Sequence, residues 1–123
     1  MEEAANQHTD FTAVACSGQT TLLLGIAAEN GALLLLVNLH SGDLLDRIQM
    51  EQTIGSLAWS PVDELLAVGT DEGIVVFRAT HTGFEAPSRE LTRHTPHVYA
   101  LAFSGDGSVL ASRDTEGLKI WNV

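Results

Sequence analysis

The sequence predicts an all-β fold built from about three copies of one unit. Short apolar runs alternate with turn-forming residues along the chain, and no run combines a helical period with the length of a helix. Two kinds of anchor residue recur every 42 to 44 positions, namely the serines and turn glycines Ser17, Ser60, Ser104, Gly31, Gly73 and Gly117. Because these anchors stay in phase along the chain, we interpret them as marks of an internal repeat.

The first unit starts at Phe11 and contains the most apolar stretch of the chain, residues 21–39. Asn30 and Gly31 interrupt this stretch, and an Asn-Gly pair between two apolar runs favours a tight hairpin turn because both residues tolerate positive φ. A membrane-spanning helix needs roughly 18 or more consecutive apolar residues. We therefore interpret the stretch as two buried strands and not as a membrane span.

The second and third units, which start at Ile54 and Val98, share one order of strands and turns. A short apolar strand leads into a serine and a turn, SPVDE in one unit and SGDGS in the other. A second apolar strand, a tight acidic turn with glycine, and a third strand follow. The first two units continue into a more polar segment, which is typical of an outer strand that faces water.

These patterns predict that each strand pairs antiparallel with the next. The predicted strands are 11–17, 21–29, 32–39, 43–50, 54–60, 64–70, 73–79, 87–92, 98–104, 108–113 and 117–122. In the second strand of each unit, a leucine is expected at the same register position, six residues beyond the anchor serine: Leu23, Leu66 and Leu110.

A four-stranded unit of about 44 residues resembles a blade of the WD-repeat β-propeller family. The third unit, LTRHTPHVYALAFSGDGSVLASRDTEGLKIWN, is the most similar. It has His94 in the family's Gly-His pair and Trp121 in the family's Trp-Asp pair. The second unit keeps LAWSP and LLAVGTDEG but has Phe77 at the tryptophan position, and the first unit has Val37 there.

The resemblance implies a partial propeller with about three blades of four-stranded antiparallel sheet. A polar N-terminal segment at 1–10 would precede blades at 11–53, 54–97 and 98–123. Propellers have about four to eight blades. We therefore expect the chain to form part of a larger or oligomeric propeller.

In this family, a histidine, a strand serine or threonine, a turn aspartate and the strand tryptophan form a buried hydrogen-bonded set. The resemblance assigns His94, Ser112 and Trp121 to three of these structural roles and Glu116 to the acid position. The other two units lack the set, so we expect them to depend on apolar packing. Residues at the register of Trp59 are expected to be buried, and they include Phe103 and Cys16, whose thiol is expected to be structural.

Charge and cysteine content exclude several classes of protein. The formal net charge is −10, with six basic and sixteen acidic residues. Nucleic acid and anionic membranes are therefore not expected as partners, because phosphate binding needs clustered Lys and Arg. Cys16 is the single cysteine, so no internal disulfide is possible. The N-terminus is acidic and differs from a signal peptide, and we expect a cytoplasmic protein.

No constellation in the sequence points to catalysis, a metal or a cofactor. His94 and His97 have a spacing seen in metal sites, but no further ligands lie at a matching distance. No Gly-x-Ser-x-Gly nucleophile elbow is present. We expect a non-enzymatic scaffold that binds protein partners, including further propeller blades or a second copy of itself. The alternative is a regulatory or sensor piece of a signalling protein whose catalytic domain lies outside this chain.

Overall fold

The computed structural model describes residues 11–16, 23–28, 32–93 and 96–123. For 11–16, 86–88 and 92–93 it describes the backbone alone. The described strands are β1 Phe11–Cys16, β2 Leu23–Ala28, β3 Leu33–Asn38, β4 Leu44–Gln49, β5 Ile54–Trp59, β6 Leu65–Thr70, β7 Gly73–Thr80, β8 Gly83–Arg93, β9 Ala100–Phe103, β10 Val109–Asp114 and β11 Gly117–Asn122.

The strands form three antiparallel sheets in which strand order follows chain order. The first sheet has the order β1-β2-β3-β4, the second β5-β6-β7-β8, and the third, read from its outer edge, β11-β10-β9. The predicted all-β fold is confirmed. The division into a polar segment at 1–10 and three units stays a prediction, and residues 1–10 lie outside the described part of the chain.

The outer strand of the second sheet, β8, begins four residues before the predicted start at residue 87. Thr80 pairs with Gly83 across a two-residue turn, and Gly83 has a φ of 121°. Glycine adopts this positive φ without a steric penalty. The Thr80 hydroxyl also accepts a hydrogen bond from the Thr82 amide at 3.2 Å. The chain therefore reverses directly after β7, where the sequence had suggested a longer loop.

Strand register corrects the alignment of the first repeat by one residue. Trp59 pairs with Leu66 and Phe103 pairs with Leu110, whereas Cys16 pairs with Leu24. The leucine equivalent to Leu66 and Leu110 is therefore Leu24, and the prediction of Leu23 was wrong. The reason is that the connection before β2 is one residue longer than the connections before β6 and β10. A one-residue shift moves every side chain of a strand to the opposite face.

Two apolar clusters join the three sheets face to face. The first combines side chains of the first and second sheets, and its buried members are Leu23, Ala27, Leu34, Leu36, Ile54, Trp59, Leu66, Val68, Phe77 and Ala79. The second joins the second and third sheets through Ala67, Ile74, Val76, Val98 and Leu110. Trp59 is buried as predicted. Phe103 is only half-buried, because it lies at the margin of the second cluster.

A polar contact joins the outer strands of the first two sheets. The Asp46 carboxylate on β4 accepts a hydrogen bond from the Phe84 amide on β8 at 2.8 Å. A second oxygen of the same carboxylate accepts from the Arg47 amide, also at 2.8 Å. The sheets are thus fixed to each other at their outer edge as well as through the apolar cluster.

Candidate functional site

One hydrogen bond connects two of the residues that the sequence had singled out. The indole Nε1 of Trp121 on β11 donates to the Ser112 hydroxyl on β10 at 2.8 Å. Ser112 is buried, and Trp121 packs against the cluster between the second and third sheets. The contact therefore orients the tryptophan ring toward the second sheet, which is a structural role and not a catalytic one.

The acidic residue that lies beside this contact is Asp114 and not Glu116. Asp114 is buried, while the Glu116 side chain is 65% exposed. Asp114 accepts a hydrogen bond from the Glu116 amide at 2.8 Å and lies 3.0 Å from the Lys119 ammonium. Alternation could have identified it, because residues 112 and 114 of one strand share a face. The sequence reading instead favoured the residue next to Gly117.

The environment of Asp114 favours its charged form. Burial raises the pKa of this carboxyl, but the hydrogen bonds from Lys119 and the Glu116 amide outweigh that effect and hold the pKa below its usual value. The hydrogen bonds that the Lys119 ammonium donates to the carboxylates of Asp114 and then Glu116 raise the pKa of Lys119. The pair therefore stays ionised at neutral pH and closes the turn between β10 and β11.

The complete four-residue network stays a prediction. His94 lies outside the described residues. Of the remaining three residues, Ser112 and Trp121 are hydrogen-bonded to each other, whereas the Glu116 carboxylate accepts a hydrogen bond from Lys119. The side chain of Cys16 also lies outside the described part of the chain. Within the described residues, no group of three or more His, Cys, Asp or Glu side chains could hold a metal ion, and no helix is long and apolar enough to cross a membrane.

Each of the three sheets has two faces with equivalent positions, and the exposure of one of these faces differs between the sheets. We use the term forward face for the surface of a sheet that is directed toward the next sheet along the chain, and for the equivalent surface of the third sheet. Strand register places nine residues at equivalent positions of the forward faces: Leu23, Leu34 and Leu36 in the first sheet, Leu65, Ile74 and Val76 in the second, and Val109, Leu118 and Ile120 in the third.

The forward face is buried in the first two sheets and open in the third. Ile74 and Val76 of the second sheet are 0% and 4% exposed, because the third sheet covers them. The equivalent Leu118 and Ile120 of the third sheet are 70% and 61% exposed. Two large aliphatic side chains on one sheet face are unusual for a surface that only meets water.

The opposite surface of each sheet, which we call the back face, also repeats. In the second sheet it is formed by Leu66, Val68, Val75 and Phe77, which pack in the cluster shared with the first sheet. In the first sheet the equivalent positions are Leu24, Ile26, Leu35 and Val37, and all four are half-buried. An apolar back face therefore lies at one end of the stack and an apolar forward face at the other.

A polar pair borders the open forward face. The Arg113 side chain on β10 donates through Nε to the Tyr99 hydroxyl at 2.8 Å, and its guanidinium carbon lies 5.9 Å from the centre of the tyrosine ring. Among the described strands, β11 pairs with β10 alone, so the outer side of its backbone meets no other strand. The candidate interaction surface thus combines an apolar face, a polar border and an open strand edge.

Comparisons with known proteins find one family model that matches part of the sequence and solved structures with a similar fold. The WD40 family model, described as WD domain, G-beta repeat, matches residues 85–122. A chain in a structure entitled Crystal Structure of Mitotic Checkpoint Complex is similar with a TM-score of 0.75 and 21% sequence identity. The alignment covers 92% of this chain and 36% of that one, so this chain spans about a third of that chain's length. No curated protein matches the sequence.

Proposed function

We propose that the chain, whose three antiparallel sheets and WD40 match at residues 85–122 are typical of a WD-repeat β-propeller, is a non-enzymatic scaffold for protein–protein contacts and forms part of a larger or oligomeric propeller. The partners in this proposal are proteins, and neither nucleic acid nor a membrane is among them. A cytoplasmic location, which the single cysteine favours, belongs to the same proposal.

The open forward face of the third sheet is the observation that carries this proposal. The same positions are covered by a neighbouring sheet in the first two units, and in the third unit Leu118 and Ile120 are exposed. Burying apolar area contributes about 25 cal/mol per Å². A partner that covers this face would therefore gain stability by the same contacts that hold the sheets to each other.

The charge of the chain supports proteins as the partners. The net charge is −10, and exposed acidic side chains occupy the turns, among them Asp71, Glu72 and Glu116. A phosphate backbone would be repelled by this surface. A protein partner can meet it with basic or neutral groups around an apolar centre.

Direct binding tests the proposal. Proteins retained by the immobilised chain from an extract of the source cells are purified, and their binding to the free chain is measured by calorimetry. We expect at least one purified protein to bind the parent chain, to bind Leu118→Asp more weakly, and to bind Val62→Asp as it binds the parent. Val62 is a matched control because it is 59% exposed but lies in the turn between β5 and β6. Failure of every purified candidate to bind directly would contradict the proposal.

A further inference from the structure

We propose that the forward face of the third sheet binds the back face of the first sheet of a second copy of this chain, so that two copies join head to tail. The inference rests on the proposed scaffold function and names the surface and the partner. It assigns each of the two surfaces of the contact to one end of the stack of three sheets.

The two contacts inside the chain provide the template. Each buries a forward face against a back face: Leu34 and Leu36 pack with Leu66 and Phe77, and Ile74 packs in the cluster that contains Leu110. The forward faces have different residues in the two contacts, but their positions are equivalent. The open forward face of the third sheet, with Leu118 and Ile120, therefore has the position and chemistry of a surface that covers a back face.

The chain also contains the matching half. At the four positions of β2 and β3 that are equivalent to Leu66, Val68, Val75 and Phe77, the back face of the first sheet has the aliphatic residues Leu24, Ile26, Leu35 and Val37. A second copy thus supplies a surface of the type that the forward face already binds twice within the chain. No other occupant is indicated so directly by the described residues.

At the polar border the third sheet differs from the internal template, so a back face bound there would lie farther from β10 than the third unit lies from β6 at Gly69. Arg113 occupies the forward-face position that Gly69 has in the second sheet, where a side chain at Gly69 would meet Ser56 and Val98. The bond from Arg113 to Tyr99 directs the guanidinium to the tyrosine at the border. The centre of the face, at Leu118 and Ile120, stays apolar.

Forward-to-back contacts are heterologous, and such contacts form a ring when the rotation closes and an open chain of subunits when it does not. Two copies would contribute six sheets, which lies within the range of about four to eight that propellers have. In either case the contact uses different residues on the two partners. This asymmetry makes the proposal testable by mixing variants.

Light scattering and sedimentation of the full chain test the proposal. We expect a mass of at least twice 13.1 kDa at micromolar concentration. Ile120→Asp removes the forward half and Leu35→Asp the back half, and each variant alone should associate about tenfold or more weakly. Mixing the two variants should restore a one-to-one complex, because each retains the half that the other lacks. Val62→Asp should associate like the parent chain.

Circular dichroism and thermal melting establish that each variant is folded. Leu118→Asp and Ile26→Asp repeat the two arms if either first variant fails to fold. A folded monomeric parent, a fully associated Ile120→Asp variant, or a mixture that stays monomeric would each overturn the proposal. A monomeric parent chain that still binds a purified protein would leave the scaffold function standing and remove only the second copy as its partner.

Discussion

The indole N–H of Trp121 donates a hydrogen bond to the buried Ser112 hydroxyl, so removing the indole leaves that hydroxyl without this donor. Trp121→Phe retains an aromatic ring but removes the Nε1 donor that lies 2.8 Å from Ser112. We expect the free energy of unfolding to fall by about 1–3 kcal/mol, which is the cost of an unsatisfied buried polar group. Urea denaturation of the parent and the variant measures the difference.

A double-mutant cycle separates the hydrogen bond from the packing of the ring. Ser112→Ala removes the acceptor, and in its background Trp121→Phe should cost less than in the parent chain. The coupling energy between the two positions should be about 0.5 kcal/mol or more for residues in contact. Strictly additive effects would show that the bond contributes nothing to stability.

Trp59 tests the packing between the first two sheets. Its side chain is 8% exposed within the first apolar cluster. Trp59→Ala should lower the free energy of unfolding by about 3–5 kcal/mol, because truncating a core aromatic removes its transfer energy and leaves a cavity. Chemical denaturation gives the value. A variant that melts at the same temperature as the parent would contradict the assigned position of Trp59 in the core.

The turn between β9 and β10 gives stability a dependence on acidic pH. The amide of Ser108, then its hydroxyl and that of Ser104, donate to the Asp106 carboxylate and lower its pKa from 3.8 to about 2. A carboxylate whose pKa is depressed in the folded state contributes stability at a pH above its unfolded pKa, and this stability is lost as the pH falls through the folded pKa. This contribution should therefore be complete above about pH 4 and disappear toward a pH of about 2.

The variant Asp106→Asn isolates this contribution. It should be less stable than the parent at neutral pH, and the difference should shrink as the pH approaches the pKa of about 2. Denaturation across this range measures the change, with Asp63→Asn in the turn between β5 and β6 as a matched control. A gap between parent and Asp106→Asn that is constant with pH would assign the effect to packing and not to ionisation.

For single residues, the sequence predicted which kinds of side chain form the contact better than it predicted which acidic residue lies beside it. The contact between Ser112 and Trp121 followed from the WD-repeat resemblance. The buried acid did not, because the choice between Asp114 and Glu116 depends on which side of the hairpin turn each carboxylate falls. The backbone fixes that choice through the bond from the Glu116 amide to Asp114, and the WD-repeat resemblance, which assigned Glu116, did not use the alternation that places Asp114 on the face of Ser112.

Among the strands, β6 packs close to the third sheet because it contains Gly69. A Cβ atom at Gly69 would lie 2.8 Å from Val98 Cγ1 and would also meet the Ser56 hydroxyl. Gly69→Ala should therefore destabilise the chain by about 1–3 kcal/mol, the cost of overpacking a core contact. Gly105→Ala is the control, since nothing lies within 4 Å of its added atom. Equal stability of the two variants in urea would refute the close approach.

Element positions were largely predictable, and element lengths were not. The repeat of serines and glycines located all eleven described strands, because hydrophobic alternation and turn residues are local signals. The alignment of Leu24 and the early start of β8 escaped prediction. Both depend on how many residues a turn contains: six before β2 against five before β6 and β10, and only two before β8.

Over the whole molecule, protection should fall from the central sheet to the open end. β6 is flanked by β5 and β7 and includes Leu66, Ala67 and Val68, which are fully buried, whereas β11 pairs on one side only. Amides of β6 should exchange with deuterium more slowly than those of β11 that are not bonded to β10, because exchange follows local opening. Mass spectrometry of peptides from a dilute sample measures this. Equal protection would indicate that a partner covers the edge.

The agreement between strand order and chain order in every sheet has a consequence for how the chain is made. Within each sheet every strand after the first pairs with its predecessor, so a growing chain never has to wait for a distant segment before it can form a hairpin. Contacts between sequence neighbours close small loops and form quickly. Each sheet can therefore fold in turn as it leaves the ribosome. The next sheet then packs onto its apolar forward face, so that this aggregation-prone surface is exposed only briefly during synthesis.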